Sequence, residues 1–558
     1  MKLYLPGGAA VTLGRSDFVA SGGQGSVYAR GDRAYKVYAD PTAAVPPGKL
    51  QDLAVLAHPD ILRPLEPLLD RQGAQVGHTL RFVPDTEVLC TLFARAFRDQ
   101  QGITPAIALA LCDRLRTLVD AAHAASCLVV DLNEMNFLVS RRWKRVFAID
   151  VDGWQTPRFP ATALMDSVRD RHGPPGRFDR GTDWFAFAVT AFQLLRGVHP
   201  YKGLHPDVQG LDARMTANLS VLDPSVTAPP VIQPVDVVPP ALQRWFHEVL
   251  QEGARSAPPT ATGSLPSRPP APRPAASTPH LEVRTLATFD ATVRLWVAHR
   301  GRVVAIAGDR VFVDGRPQPL PHPTATVGFS PRGNRPVLAW VEGGRLRLFD
   351  LLDRRPIPCD LAASRVVSSR ARLQILSGTQ VLEMGFVEGA SLLPAPRPLV
   401  QVLPRATSLH PGCALQDLLG ARWLSAFAGP GLAHQVRLPA FDRARVLHAR
   451  CDRGVLVVVA AGPSGPRRHV LRFAADHRTW DLRSADAGPG TAEVVVLDSG
   501  VALSVDEQGR LELFSARPGD PRLQLIDLPG LADGMHLCDG GGTVVAVRGR
   551  EVLRLGMR

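Results

Sequence analysis

A glycine-rich run, Ala20-Ser21-Gly22-Gly23-Gln24-Gly25-Ser26-Val27-Tyr28, lies between two segments in which apolar residues alternate with polar ones. The alternation predicts two β-strands, so the run is expected to join strand to strand in a hairpin. Small residues at positions 20, 22 and 25 let the backbone lie close to phosphate oxygens, with its N–H groups directed at the negative charge. The run therefore indicates a phosphate-binding turn, and an ordinary flexible turn is the simpler alternative.

A lysine on the returning strand strengthens the phosphate interpretation. Lys36 follows Gly25 by eleven residues, and it is one of only five lysines among 64 basic residues. From the second strand its ammonium group can reach phosphates held by the turn. A Walker-type loop would instead open a helix and carry its lysine within the loop. Together the run and the lysine predict nucleotide binding.

Length and composition favour a soluble protein with two or three domains. The chain has 558 residues, of which 45% are hydrophobic and 21% charged, and it is too long for a single core. It contains no apolar run of about 20 residues that could cross a bilayer, and its N-terminus does not resemble a signal peptide. Seven scattered cysteines without a Cys-x-x-Cys pair favour reduced thiols, a cytoplasmic location and no zinc site.

The formal net charge of +12 raises the question of nucleic-acid binding. Arginine is spread along the whole chain, however, and aromatic residues make up only 6% of it. Neither a basic stripe nor a stacking platform is evident, so we expect no nucleic-acid partner.

A Pro-rich segment at 255–280 divides the chain into two unlike halves. Such a segment forms neither a core nor a regular helix and is typical of a semi-extended linker. Before it, residues 1–254 combine short strand-like pieces with helical periodicity, which predicts an α+β domain. After it, residues 281–558 consist of short alternating strands separated by turn residues, which predicts an all-β domain.

Strand pairs recur in the second half about every 40 residues, which is the period of a four-stranded propeller blade. Residues 302–313 and 543–554 share the order of apolar strand, tight turn and apolar strand. The sequence predicts a β-propeller of six to seven blades, closed by an outer strand from 282–288. A sandwich pair or a solenoid is the alternative. WD40-like and quinoprotein-like repeats both stay open, because no blade ends in a clear Trp-Asp.

Polar residues also follow a helix-like segment of the first half. Asp131 and Asn136 are five residues apart, and the next apolar strand ends at Asp150. A short hairpin-like unit would present all three side chains at its edge. One carboxylate can then orient a hydroxyl, while the amide oxygen and the second carboxylate bind a magnesium ion that bridges phosphates. Turn or helix-capping roles are the simpler alternative for each residue.

In their order along the chain, these motifs resemble a protein-kinase domain over residues 15 to about 255. The phrase Asp-Leu-Asn-Glu-Met-Asn at 131–136 is most similar to a divergent group of bacterial Ser/Thr kinase-like proteins. The run at 20–28 resembles the glycine-rich loop, with Ala20 in place of its first glycine. The resemblance implies a bilobal kinase-like domain that binds ATP and Mg²⁺.

The resemblance implies a role for each matched residue. Lys36 and Asp131 would be catalytic, and Asn136 and Asp150 would bind Mg²⁺. The nucleotide would lie against Gly22, Gly23, Gly25, Val27, Lys36 and Leu138. Asp183 would brace the catalytic loop from a buried helix, and His123 is expected to be a packed residue at a helix end.

Two departures from the kinase pattern concern Lys36 and the catalytic loop. Lys49 occupies the position of the αC glutamate that should pair with Lys36, and Asp52, one turn later, is a shorter substitute. Asn133 replaces the loop lysine that would steady the γ-phosphate.

Further departures concern the segment after Asp150. Asp152 replaces a glycine, and both a solvated turn and an auxiliary metal role are open for it. Val130 replaces the arginine before the catalytic aspartate, which argues against control by a phosphate in the activation segment. Asp166 is the candidate for the carboxylate that closes this segment, paired with Arg255.

The preferred function is an ATP-dependent kinase acting on Ser/Thr of a protein substrate. The propeller would serve as a sensing or docking module for a protein or small-ligand partner. The alternative is a pseudokinase scaffold that binds nucleotide and presents the propeller to a protein partner. A quinone-cofactor propeller is a third interpretation, but residues 281–558 show no acidic or histidine constellation that would support it.

Overall fold

The computed structural model describes residues 1–22, 24–229, 231–259, 281–462, 465–486, 492–506, 509–527 and 535–557. The chain divides into two compact units, the first holding residues 1–95 and 103–259, and the second holding residues 96–102 and nearly all of those after 280. Gly23 and residues 260–280, which make up most of the predicted linker, lie outside the described residues. No helix in the described part of the chain is long and apolar enough to span a membrane.

The first unit begins with one antiparallel sheet. Its strands are β1 (Lys2–Tyr4), β2 (Ala10–Thr12), β3 (Phe18–Ser21), β4 (Gly25–Arg30), β5 (Arg33–Tyr38), β6 (Pro67–Leu69) and β7 (Gln75–Arg81). They are arranged in the order β2-β1-β6-β7-β5-β4-β3. Helix α1 (Pro47–Leu53) lies between β5 and β6 in the chain. Lys36 stands in the middle of β5, opposite Val27 of β4 and His78 of β7.

Two glycines allow the neighbours of β5 to approach it closely. A Cβ added at Gly25 would lie 2.1 Å from the carbonyl oxygen of Val37, and one added at Gly77 would lie 2.1 Å from that of Lys36. A side chain at either position would push the strands apart, so the sheet itself requires glycine there.

The remainder of the first half is mainly helical. The helices are α2 (Arg95–Gln101), α3 (Pro105–Ala124), α4 (Arg180–Arg196), α5 (Leu211–Thr216) and α6 (Pro240–Leu250). Helix α4 is apolar on nearly all sides, is buried from Asp183 to Arg196, and packs against α3 and α6. A small sheet is formed by β8 (Thr86–Val88), β9 (Phe137–Ser140) and β10 (Val146–Ala148), with β9 in the middle. The first unit is thus α+β, as the sequence predicted.

After residue 280, the second unit is built from antiparallel four-stranded sheets. Its first strands are β11 (Leu281–Thr288), β12 (Val293–His299), β13 (Arg302–Ala307), β14 (Arg310–Val313), β15 (Arg316–Pro319), β16 (Thr326–Phe329), β17 (Pro336–Glu342), β18 (Arg345–Asp350) and β19 (Arg355–Ile357). The next are β20 (Arg365–Ser369), β21 (Arg372–Ser377), β22 (Gln380–Glu388), β23 (Leu392–Gln401), β24 (Thr407–His410), β25 (Cys413–Leu418), β26 (Ala421–Gly429) and β27 (Leu432–Arg437). The last are β28 (Val446–Asp452), β29 (Val455–Gly462), β30 (Gly465–Phe473), β31 (Trp480–Asp486), β32 (Val494–Val496), β33 (Val501–Val505), β34 (Leu511–Ser515), β35 (Leu523–Ile526), β36 (His536–Asp539), β37 (Val544–Arg548) and β38 (Glu551–Met557).

These strands form a closed, propeller-like ring of seven sheets within the described residues. Six sheets run in simple sequence from β12 to β35, and the seventh has the order β11-β38-β37-β36. The first strands of successive sheets contact one another from β12 through β16, β20, β24, β28 and β32 to β36, and β36 contacts β12. Strand β11 pairs with β38 from Leu281 to Thr288. The predicted closing strand is therefore confirmed, and the sandwich and solenoid alternatives are wrong because neither closes into such a ring.

Apolar and ionic contacts join neighbouring and distant sheets of the ring. Val304 and Ile306 of β13 share one core cluster with Val327 of β16 and Leu338 of β17. Across the ring, the guanidinium of Arg370 donates to Asp452 at 2.9 Å and to Asp539 at 2.6 Å. It also donates to the carbonyl oxygen of Val496. We call this group, Arg370 with Asp452, Asp539 and Val496, the ring clasp.

Candidate functional site

Lys36 is the buried centre of a polar cluster in the first unit. Its Nζ donates to Gln24 Oε1 at 2.9 Å, to Asp150 Oδ1 at 3.0 Å and to Asp152 Oδ2 at 2.8 Å. Asp150 and Asp152 follow Lys36 by more than 100 residues in the chain. The fold thus brings together the predicted lysine and the predicted metal aspartate, and it adds a second aspartate.

Asp152 lies deeper than Asp150. Its side chain is 7% exposed, whereas that of Asp150 is 47% exposed. The Tyr38 hydroxyl donates to Asp152 Oδ2 at 2.9 Å and lies 3.1 Å from His78 Nδ1. Because the hydroxyl has one proton and gives it to Asp152, its oxygen accepts from His78, which fixes the proton of that imidazole on Nδ1. The interpretation of Asp152 as a solvated turn residue is wrong, because its side chain is a buried partner of Lys36. The auxiliary metal role stays a prediction.

The charges of the cluster control its titration. Burial lowers the pKa of Lys36, but Asp150 and Asp152 outweigh this effect and the pKa lies above its ordinary value. Burial raises the pKa of Asp152, but Lys36 and His78 bring it below the ordinary value. Burial lowers the pKa of His78 to about 4 and raises that of Tyr38, so both are neutral near pH 7. The cluster therefore holds an ammonium between two carboxylates.

The backbone at Asp150 turns sharply. Its φ is 54°, in the left-handed region that a non-glycine residue adopts rarely, and one turn of 3₁₀ helix follows from Val151 to Gly153. The amide of Gly153 donates to the carbonyl oxygen of Asp150 at 3.0 Å. This turn directs both carboxylates, two residues apart, to the same ammonium group.

Asp131 is held by amide donors from its own loop and from a distant segment. Its Oδ1 accepts from Asn133 Nδ2 and from the backbone amide of Met165, both at 2.8 Å, and its Oδ2 accepts from Asn136 Nδ2 at 3.0 Å. Asn133, predicted only as the replacement of a lysine, therefore orients Asp131. These bonds leave the carboxylate fixed in one orientation.

The same loop is braced from helix α4. Buried Asp183 accepts from the amides of Val129 and Val130 at 2.9 and 2.8 Å, and lies 2.8 Å from His123 Nε2. Val130 has a φ of 63°, so the brace stabilises a strained backbone immediately before Asp131. Asp183 and His123 thus occupy the bracing and packed positions that the sequence predicted for them.

Asn136 links this loop to the Asp150 turn. Its carbonyl oxygen accepts from the amide of Ile149 at 2.9 Å, next to Asp150. A carboxylate oxygen and an amide oxygen are ligands that Mg²⁺ prefers, so Asp150 and Asn136 fit this cation chemically. Within the described residues no group of three or more His, Cys, Asp or Glu side chains could hold a metal ion. A cation at this position would need further oxygen ligands from a substrate or water.

The described residues among those predicted to hold the nucleotide lie on the glycine-rich turn, β4, β5 and β9. The amide of Gly22 donates to the carbonyl oxygen of Gly25 at 2.8 Å, which closes the turn between β3 and β4. Val27 lies directly opposite Lys36, whereas Leu138 lies in β9, two residues after Asn136. Gly23 lies outside the described residues.

Helix α1 supplies no carboxylate to Lys36. Asp52, the proposed substitute for the glutamate, accepts from Thr156 Oγ1 and from Arg158 Nε, each at 2.8 Å. Buried Lys49 donates to the carbonyl oxygen of Pro160 at 3.3 Å. The prediction that Asp52 replaces the glutamate partner of Lys36 is therefore wrong, because the Asp52 carboxylate bonds to Thr156 and Arg158 instead.

The expected Asp166–Arg255 pair is also wrong. Arg255 binds Asp170 in a bidentate pair at 2.6 and 2.7 Å, and Asp166 lies 3.3 Å from Arg169. Between these residues and the Asp131 loop, a cleft of about 200 Å³ opens beside Val130. Its other lining residues include Leu164, Val168, Pro174, Phe178 and Arg177.

Sequence reasoning missed the buried chain formed by Asp152, Tyr38 and His78. One signal was available, because Tyr38 is two residues after Lys36 and so lies on the same face of β5. The pairing of Lys36 with His78 depends on the register of β5 and β7, which the sequence does not contain explicitly.

Comparison with known proteins gives little beyond this geometry. No family model matches the chain, and no curated protein matches it. Among solved structures, the kinase PK-1 of Cydia pomonella granulovirus is similar to it at 13% identity and a TM-score of 0.33. The likeness covers 43% of this chain and 89% of the viral one. At this TM-score it adds no weight to an assignment.

Proposed function

We propose that residues 1–254 form a kinase-like domain that transfers the γ-phosphoryl group of ATP to Ser/Thr hydroxyls of a protein. The observation that carries the proposal is the 3.0 Å contact between Lys36 Nζ and Asp150 Oδ1, two residues far apart in the chain. A cation beside an exposed carboxylate, under a glycine-rich turn, suits a triphosphate with its metal ion.

Phosphoryl transfer depends mainly on positioning of the reactants and on stabilisation of charge. Each residue of the proposed site would contribute in one of these two ways. Lys36 and the backbone amides of the glycine-rich turn would bind phosphate oxygens. Asp150 and Asn136 would hold Mg²⁺, which supplies charge neutralisation between the phosphates. Asp131 would accept a hydrogen bond from the attacking hydroxyl, and the cleft beside Val130 would receive the neighbouring part of the protein substrate.

For the second unit we propose a docking or sensing role. A closed ring of sheets offers a rigid surface for a protein or small-ligand partner. Attachment to the kinase-like domain through residues 255–280 would raise the local concentration of a docked substrate.

The test is phosphoryl transfer from γ-labelled ATP with Mg²⁺, using the full chain with itself and casein as acceptors. Label is expected with the wild type and is expected to be lost with Lys36→Met and Asp131→Asn. Lys144→Met, on the exposed turn between β9 and β10, is the matched control. Label that persists in both site variants would overturn the proposal. Binding of Mg·ATP without any transfer would instead establish the nucleotide-binding scaffold.

A further inference from the structure

Lys36 has three N–H donors, and the structure gives each of them a partner. They are Gln24, Asp150 and Asp152. Two of these partners are placed where they can be exchanged for a ligand. Gln24 is exposed on the glycine-rich turn, and Asp150 is 47% exposed.

Asp152 has the opposite character. Both of its oxygens lie within 3.0 Å of Lys36 Nζ, and its side chain is 7% exposed. Its Oδ2 is additionally held by the Tyr38 hydroxyl, which is itself held by His78. A carboxylate fixed by a buried hydrogen-bonded chain is too enclosed to bind a ligand directly, but it can hold its partner in place.

We propose that Asp152 is the positioning residue that holds the ammonium of Lys36 in the nucleotide site, with Tyr38 and His78 as its supports. This inference rests on the function proposed above for Lys36. When a nucleotide binds, Gln24 and Asp150 would give up their hydrogen bonds from Lys36. The ammonium would then bind phosphate oxygens and the Asp150 carboxylate would be free to bind Mg²⁺, while Asp152 stays bound to Lys36. The residue that positions Lys36 therefore lies on the same turn as Asp150, the proposed Mg²⁺ ligand, and not on helix α1.

The contacts of α1 support this division. Asp52 and Lys49 are both committed to the segment 156–160. Displacement of α1 would therefore loosen that segment without removing the carboxylate partner of Lys36. Among the described residues, the ammonium of Lys36 is held by the glycine-rich turn and by the Asp150 turn, and not by α1.

A direct test measures how accessible Lys36 is, without reference to catalysis. The full chain is treated with trinitrobenzenesulfonate, and modification of Lys36 is followed by mass spectrometry with exposed Lys144 as internal reference. We expect Asp152→Asn to accelerate labelling of Lys36 by about tenfold and Tyr38→Phe by about threefold, since each loosens a charged hydrogen bond. Asp150→Asn weakens the half-exposed partner of Lys36 and is expected to accelerate labelling by about twofold. Asp52→Asn is expected to leave labelling unchanged, because Asp52 bonds to Thr156 and Arg158.

The second measurement uses Mg·ATP. Asp152→Asn is expected to lower the transfer rate by about 100-fold, whereas Asp152→Glu, which restores the charge, recovers at least part of it. Tyr38→Phe keeps the ion pair and is expected to lower the rate by about fivefold. Asp120→Asn, on the exposed face of α3, is the surface control.

The outcomes separate the two proposals. If Asp150→Asn or Asp52→Asn releases Lys36 more than Asp152→Asn does, the positioning role of Asp152 is wrong. If Asp152→Asn fails to fold, Tyr38→Phe decides, and unchanged labelling and rate in that variant overturn the role of the chain. If labelling behaves as expected but the wild type binds no Mg·ATP, the proposed function fails while the Lys36–Asp152 pairing stands.

Discussion

Each unit contains a cation held between two aspartates, and the two clusters differ in what surrounds them. In the first unit Lys36 lies between Asp150 and Asp152, and in the ring clasp Arg370 lies between Asp452 and Asp539. Each therefore has one more negative than positive charge.

Backbone amides satisfy the acids of the ring clasp. Asp452 accepts from the amide of Val496 at 2.8 Å, and Asp539 accepts from that of Gly541 at 3.0 Å. Asp150 is half-exposed beside a glycine-rich turn, and its excess charge faces solvent. The two clusters thus have the same net charge and differ in which acceptors stay available.

Exchange of the cation in the first cluster tests the role of Lys36 most directly. Lys36→Arg keeps the positive charge between the aspartates but replaces a compact ammonium by a broad, planar guanidinium. We expect phosphoryl transfer to fall by about 100- to 1,000-fold, because the charge no longer sits where the phosphates need it. Hydrogen exchange of β5 peptides is expected to stay within a few-fold of the wild type. A variant with more than a third of the wild-type rate would contradict the assigned role.

The first cluster is expected to lose stability in acid, because His78 supports it through Tyr38. Its pKa of about 4 lies below the ordinary value of 6.5, mainly through burial, so folding favours the neutral ring. The stabilisation is complete above pH 6.5 and is lost as pH falls towards 4, by at most about 3 kcal/mol. His78→Asn keeps a donor towards Tyr38 but does not titrate.

Urea unfolding followed through β5 and β7 peptides should therefore lose stability between pH 6.5 and 4 less steeply in His78→Asn than in the wild type. His247→Asn, at an exposed position on α6, is the control and should retain the wild-type slope. Equal slopes for wild type and His78→Asn would show that His78 does not carry this pH dependence.

The reciprocal exchange tests the ring clasp. Arg370→Lys replaces a planar guanidinium by a compact ammonium, which cannot keep the bidentate contact with Asp452. This loss should destabilise the ring locally by about 2 kcal/mol. Faster hydrogen exchange is expected in β28 and β36, with phosphoryl transfer unchanged. Arg347→Lys, an exposed pair with Glu342, controls for the substitution itself. Loss of transfer in Arg370→Lys would mean that the clasp is more than structural.

The smallest expected effect concerns Gln24. Its side chain occupies one donor of Lys36 that a phosphate would use. Gln24→Ala should therefore tighten Mg·ATP binding by about threefold, because one competing hydrogen bond is lost from the free state only. Isothermal titration calorimetry measures this change, with Gln72→Ala on the β6–β7 turn as control. Weaker binding would instead mean that Gln24 itself contacts the nucleotide.

The sequence predicted the features that repeat or that follow one another at fixed spacing. The period of strand pairs predicted the ring, and the closing strand followed from the incomplete last sheet. The association of Lys36 with Asp150 followed from motif order. Features that depend on register and side-chain reach could not be predicted in this way.

Asp152 and Arg255 show why. A turn aspartate after Asp150 is equally compatible with solvent and with burial. Its burial follows from the left-handed turn at Asp150 and from the hydrogen bond that the Tyr38 hydroxyl donates to it, and neither can be read from the sequence. Arg255 pairs with Asp170 and not with Asp166. Which of the two aspartates reaches Arg255 depends on the path of the backbone between them, which the sequence does not specify. The ring clasp likewise joins turns separated by more than 80 residues.

The pairing of β11 with β38 has a consequence for synthesis on the ribosome. Leu281 is translated 276 residues before its partner Met557. At about 5 to 20 residues per second, this strand waits roughly 15 to 55 s with an unpaired edge. During that interval the unpaired edge of β11 can pair with other strands, including β11 of a second chain on the same polysome.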